Sequence, residues 1–138
     1  MSDLISLISR ILMAAVFIVY GWMKLMNVGS IVNNPGTKRF MEMVASGAPA
    51  PTWLGYLIAA FEFLGGIAIV LGIKSRWVAW AFVVWILIAS LLGHPFWITG
   101  TPADQGNFYK NLAIMAAYLL LAIHGPGRYS VDGRTTSV

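Results

Sequence analysis

The chain has 138 residues, which suits a single domain over 1–138; 59% of them are apolar, only 10% are charged, and the formal net charge is +4. Ordinary soluble domains carry roughly 25% charged residues, so this composition excludes a typical soluble enzyme and points to an integral membrane protein. The positive excess forms no cluster or stripe, which sets nucleic acid aside as a partner, and the absence of cysteine excludes disulfides, thiolate metal sites and a thiol relay on this chain.

Four apolar segments follow in order, at about 4–25, 53–73, 76–94 and 108–124, and they predict an all-α, four-helix integral membrane bundle. The first two have the length needed to cross a hydrocarbon core of about 30 Å, and the last two cross with little tilt. The first run lacks a basic leader region and an A-x-A-like cleavage site, so it reads as a retained membrane segment. Between the first and second spans, "NNPGTKRF" and "SGAPAP" are turn chemistry, with room for a short interfacial helix around Lys38–Ala45. "GIKSR" is a tight basic turn that makes spans two and three antiparallel neighbours. "HPFWITGTPADQGN" is a Pro/Gly-punctuated loop whose aromatic residues can dip into the interface. Trp22, Trp53, Trp77, Trp97, Tyr109 and Tyr129 fall at or just outside the span ends, where amphipathic rings prefer to lie; Trp85 alone falls near mid-span.

An even number of spans puts both termini on one side, with Lys74, Arg76, Arg128 and Arg134 and with Arg10 close by. Lys24, Lys38, Arg39 and Lys110 lie on the other side. The short basic turn tips the termini toward the cytoplasm and the chain toward the cytoplasmic (inner) membrane.

The informative residues are the polar ones inside the spans. Glu62 sits in "IAAFEFLGGIAIVLG", where a charge at the helix centre costs roughly 2.5–3.5 kcal/mol. It therefore should face the bundle interior, and Gly55, Ala59 and Gly66 share its face as a stripe that admits a close neighbour. Arg10 is the expected partner. It lies about 9 Å into span one and Glu62 about 16 Å into span two from the same side, a gap an extended arginine can bridge. Arg10, Ala14, Phe17, Gly21 and Lys24 make one face of span one, and Lys110, Ile114, Ala117, Leu121 and His124 make one of span four. Two polar zones result: an Arg10–Glu62 pair inside the membrane, and a group of Lys24, His94, Lys110 and Asn111 near the non-terminal face. Each has a plainer reading. The pair can simply fix helix register, the lysines can anchor span ends by snorkelling, and the histidines can be satisfied by backbone or water. His94 and His124 lie at opposite ends and cannot share a metal ion, and the methionines read as packing, so no metal site is expected. Soluble-enzyme motifs are missing from the sequence: it has no P-loop, no dinucleotide fingerprint, no nucleophile elbow and no HExxH.

Several blocks resemble the DoxX family of small four-helix membrane proteins over nearly the whole chain. They are the arginine ahead of "VFIVYGWMKL", the block "FEFLGGIAIVLGIKSR", the histidine of "LLGHPFW", "NFYKNLAIMAAYLLLA" and "GPGRYSVDG". The positions that match the pattern are Arg10, Gly21, Lys24, Glu62, Gly65, Gly66, Arg76, His94, Lys110, Asn111, Gly125, Gly127 and Asp132. The family is named for the small subunits of a thiosulfate:quinone oxidoreductase, so the resemblance implies a redox-linked role, with a quinone as the non-covalent cofactor.

On that expectation Lys24, His94, Lys110 and Asn111, lined by Tyr20, Trp22, Phe96 and Trp97, hold a quinone head, and Glu62 with Arg10 handles protons. The chain is then one subunit among membrane or soluble oxidoreductase partners, or a homo-oligomer in the bilayer, without activity of its own. A competing expectation is a non-catalytic scaffold in which Arg10–Glu62 holds the bundle and the loops recruit a partner. A weaker one is a small-molecule carrier gated by the pair; short spans without a repeat or a broken helix speak against it.

Overall fold

The computed structural model describes residues 2–135, with Arg134 and Thr135 described as backbone only. The charge of Arg134, assigned above to the terminal face, thus lies outside the described side chains. Among the described residues all regular structure is helical: α1 Ser2–Met26, α2 Gly29–Val32, α3 Pro35–Ala45, α4 Thr52–Leu71, α5 Ser75–Gly93, α6 Phe96–Thr99, α7 Pro102–His124 and α8 Val131–Thr135. Four of these helical stretches, built on α1, α4, α5 and α7, are long and apolar enough to cross a membrane. The protein is an all-α integral membrane bundle.

Two helices start earlier than their apolar runs, for local reasons. Asn34 accepts from Gly36 N–H ahead of Pro35, so α3 begins at that cap. Thr101 accepts from Asp104 N–H ahead of Pro102, and this cap opens α7 within the polar "PADQGN", before the apolar segment begins.

The bundle is organised as two pairs, α1 packed along α4 and α5 along α7, with lighter packing between α4 and α5 although a tight turn joins them. Small residues bring α1 and α4 together. A Cβ on Gly21 would lie 2.6 Å from Phe63 N, and one on Gly66 would lie 2.7 Å from the Ile18 side chain, so neither position has room for one. These two approaches fix the antiparallel register. Glu62 falls level with the turn of α1 between Gly21 and Lys24, whereas Arg10 falls level with the far end of α4.

The core lies where each span contributes one ring. Phe82 of α5 packs against Phe17 of α1, Phe61 of α4 and Tyr118 of α7, with centroids 4.4, 5.0 and 4.9 Å away. Tyr118 Oη donates to Met13 O at 3.2 Å, which satisfies the hydroxyl in the apolar interior. This ring layer separates the two ends of the bundle, and each end has its own buried charge.

Candidate functional site

Arg10 and Glu62 do not meet. The expected pairing took both depths from a common plane, but α1 extends past the end of α4, and in the observed register Arg10 is about twelve residues, ~18 Å, from the level of Glu62. Arg10 is fully buried at the terminal end, where Nη1 donates to Ile69 O at 3.2 Å and Val70 O at 2.6 Å, and Nη2 donates to Tyr129 O. Its Nε is buried without a hydrogen-bond partner among the described residues.

The segment after α7 folds back to make this end. Ser6 Oγ donates to Pro126 O at 2.8 Å, and Arg128 N–H donates to Asp3 Oδ1 at 3.1 Å. Asp132 accepts from Lys74 N–H at 2.9 Å, Ser75 N–H at 2.7 Å and Ser75 Oγ at 3.0 Å, which caps α5. Burial pushes the Asp132 carboxyl up, but the Ser75 and Lys74 donors and the Arg10 charge together outweigh it and hold the group below its ordinary range. The described partners of Arg10 and Asp132 all come from the bundle ends and the segment after α7, and neither residue lines the 630 Å³ cavity described below.

Glu62 instead meets Lys24. Lys24 Nζ lies 2.7 and 2.6 Å from the two carboxylate oxygens, and Trp85 Nε1 donates to Oε1 at 3.0 Å. Glu62 is 3% exposed and faces the interior, as its cost in lipid requires. An ammonium has three donors and Glu62 takes two, which leaves one proton of Lys24 for another acceptor.

Lys24, Glu62 and Trp85 form the floor of a cavity of about 630 Å³ between α4 and α5. Leu54, Leu57, Ile58 and Phe61 line it from α4, and Ile88, Ala89, Leu92 and Gly93 from α5. Ile31, Asn34, Gly36, Thr37 and Phe40, from α2, α3 and their link, lie over its outer end. Two contacts hold that cover down: a Cβ on Gly36 would lie 2.9 Å from Gly93 Cα, and Arg39 Nη1 donates to Leu92 O at 2.7 Å. Leu57 and Ile88 line the cavity and are also exposed on the flank of the bundle, so it opens sideways toward lipid.

His94 completes the outer wall. Its Nδ1 lies 3.0 Å from Asp104 Oδ1, while Asp104 Oδ2 accepts from Thr99 at 2.7 Å and Thr101 at 2.8 Å. Trp85 and His94 are nine residues apart on α5, so the two polar ends of the cavity are separated by about 13 Å along the helix.

The structure thus brings together Lys24, Glu62 and His94 and leaves the other expected site residues elsewhere. Lys110 donates to Asn107 Oδ1 at 2.8 Å on the surface, and neither it nor Asn111 lines the cavity. Tyr20 is exposed, and Trp97 packs against Phe96 and Phe108 outside the cavity. Sequence reasoning missed Trp85 and Asp104. Trp85 carried a signal as the tryptophan near mid-span, whereas Asp104 was hidden in a segment read as loop. Among the described residues no group of three or more His, Cys, Asp or Glu comes together to hold a metal ion.

Fold and site together define a class: a small, four-span helical membrane protein with an intramembrane ion pair at the floor of an apolar cavity. Comparison with known proteins gives the family. Residues 5–95 match DoxX, a stretch that contains Arg10, Lys24, Glu62, Trp85 and His94. The chain is 37% identical to "Inner membrane protein YphA" of Escherichia coli over 93% of its own length and 88% of the relative's. It is 37% identical to "Inner membrane protein YqjF" of the same organism, over 96% and 92%. A more distant likeness, 24% identical over 67% of this chain and 32% of the relative, is to "Surfeit locus protein 4 homolog" of Schizosaccharomyces pombe. This chain belongs to the DoxX family. No solved structure matches it.

Proposed function

We propose that this chain is the quinone-binding membrane subunit of an oxidoreductase system of the inner membrane, with both termini cytoplasmic. The observation that supports the reading is the 630 Å³ cavity, apolar along its walls, polar at both ends and open sideways at Leu57 and Ile88. Pockets of this size, mostly apolar with a few placed polar groups, suit a small amphipathic ligand. A quinone ring needs an apolar slot and a donor for its carbonyl oxygen, and the remaining proton of Lys24 is such a donor. A molecule carrying an isoprenoid tail can enter from the bilayer without passing the cover of α2 and α3. The ring layer around Phe82 closes the cavity from the terminal end, which favours a one-sided binding site over a carrier.

The test is extraction and mass spectrometry of the small molecules that co-purify in mild detergent, followed by titration with a decyl-tailed quinone read by tryptophan fluorescence. A stoichiometric quinone, with quenching that weakens in Glu62→Gln, supports the reading. A lipid-only extract and no quenching overturn it.

A second reading, the scaffold, is favoured by one observation: all the described partners of Glu62 come from the bundle itself, Lys24 of α1 and Trp85 of α5. On that reading the ion pair ties three helices together, and the exposed surfaces recruit the enzyme.

A further inference from the structure

We propose that Asp104 is a positioning residue: it holds His94 with the ring proton on Nδ1 and presents Nε2 to the cavity as an acceptor, so the outer end takes a hydroxyl-bearing ring, the quinol. This rests on the quinone reading above and adds to it which redox form is bound at that end.

The geometry of one carboxylate carries the inference. Asp104 Oδ2 accepts the hydroxyls of Thr99 and Thr101, and Asp104 N–H donates to Thr101 Oγ1 at 3.2 Å. Those bonds are what a helix cap uses, and they explain Oδ2 completely. They do not explain Oδ1, which is turned to His94 Nδ1 at 3.0 Å. A carboxylate that already collects two hydroxyl donors is an acceptor, so Nδ1 is the donor, and when the ring carries a single proton its lone pair sits on Nε2. The imidazole is also anchored at its base: His94 N–H donates to Ser90 O at 3.1 Å, and His94 O accepts from Phe96 N–H at 2.9 Å.

The charged groups that face His94 are few. Asp104 comes from α7, and Arg39 of α3 is committed to Leu92 O two residues before it. Lys24 and Glu62 lie about 13 Å deeper and neutralise each other. The cavity therefore offers an acceptor at its outer end, Nε2, and a donor at its floor, the third proton of Lys24. A quinone carries two carbonyl acceptors, and its reduced form carries two hydroxyl donors. One ring is too short to reach both ends. The outer end discriminates in favour of the quinol, because a carbonyl facing Nε2 leaves two acceptors opposed.

Two measurements test this. In His124→Gln protein His94 is the sole histidine, and its ring nitrogens are read by 15N NMR in alkaline buffer without ligand. The expected state is Nδ1–H, shifting toward Nε2–H in Asp104→Ala. Thr101→Ala, which weakens the cap but leaves Oδ1 in place, keeps Nδ1–H. Affinity is then measured for the reduced and oxidised forms of a decyl-tailed quinone. Asp104→Ala is expected to lose about tenfold for the quinol, the size of one charge-assisted hydrogen bond, with a smaller change for the quinone. An Nε2–H ring in the parent protein, or an equal loss for both forms, overturns the proposal. If neither form binds, the quinone reading and the ligand half of this proposal fall together, and the tautomer alone decides whether Asp104 positions His94.

Discussion

The two ends of the bundle each bury a charge, and they use it differently. Arg10 is surrounded by backbone carbonyls from α4 and from the segment after α7. Lys24 and Glu62 face each other through side chains and line a cavity. A cation held by carbonyls has no acid–base partner to exchange with and acts as a clasp. A carboxylate held by an ammonium and an indole beside a cavity can respond to what enters. Finding a charge inside a membrane span therefore does not assign its role; the identity of its partners does.

The largest expected effect breaks the clasp. Arg10→Met leaves the carbonyls of Ile69, Val70 and Tyr129 without their donor and removes a charge that favours the Asp132 carboxylate, a loss of about 3–5 kcal/mol of the kind seen when one partner of a buried charge network is removed. The measurement is the unfolding midpoint in detergent, and ligand affinity below the midpoint should stay at the parent value.

Glu62→Gln probes the other end. The amide keeps an acceptor for Trp85 Nε1, so the expected cost in stability is smaller, about 1–2 kcal/mol, with a clear loss of quinone affinity. If its midpoint falls as far as that of Arg10→Met while affinity is unchanged, the two ends are alike and the scaffold reading replaces the binding site.

The smallest effect is acid sensitivity, and it belongs to the clasp alone. The folded pKa of Asp132 is lowered, so its contribution is complete above the ordinary carboxylate value of about 3.9 and is lost as pH falls through the lowered value. The midpoint of the parent should decline with acid over that window, and Asp132→Asn should flatten that part of the profile. An identical acid profile in both proteins would remove Asp132 from the clasp.

Much of this could be read from residue patterns. The four apolar runs gave the helices, the Gly55–Ala59–Glu62–Gly66 face turned Glu62 inward, and Lys24 and His94 were placed toward the same end. The partner of Glu62 could not be read, because depth measured from span ends ignores the register, and the register depends on how closely Gly21 and Gly66 let α1 approach α4. Asp104 was missed because a capping box inside polar residues extends α7 beyond its hydropathy signal. The fold-back after α7 was missed as well, since "GPGRYSVDG" is too short and too polar for periodicity to report where it docks.

That fold-back also sets an order of events during synthesis. Arg10 leaves the ribosome well ahead of its carbonyl partners, which lie 59, 60 and 119 positions later in the chain. A guanidinium in a nascent first span has to wait at the headgroup level or inside the insertion machinery until α4 arrives. The last of its partners, Tyr129 O, is made only after all four long helices. A chain stopped before Tyr129 would carry all four spans and still lack the closure that holds its first arginine in place.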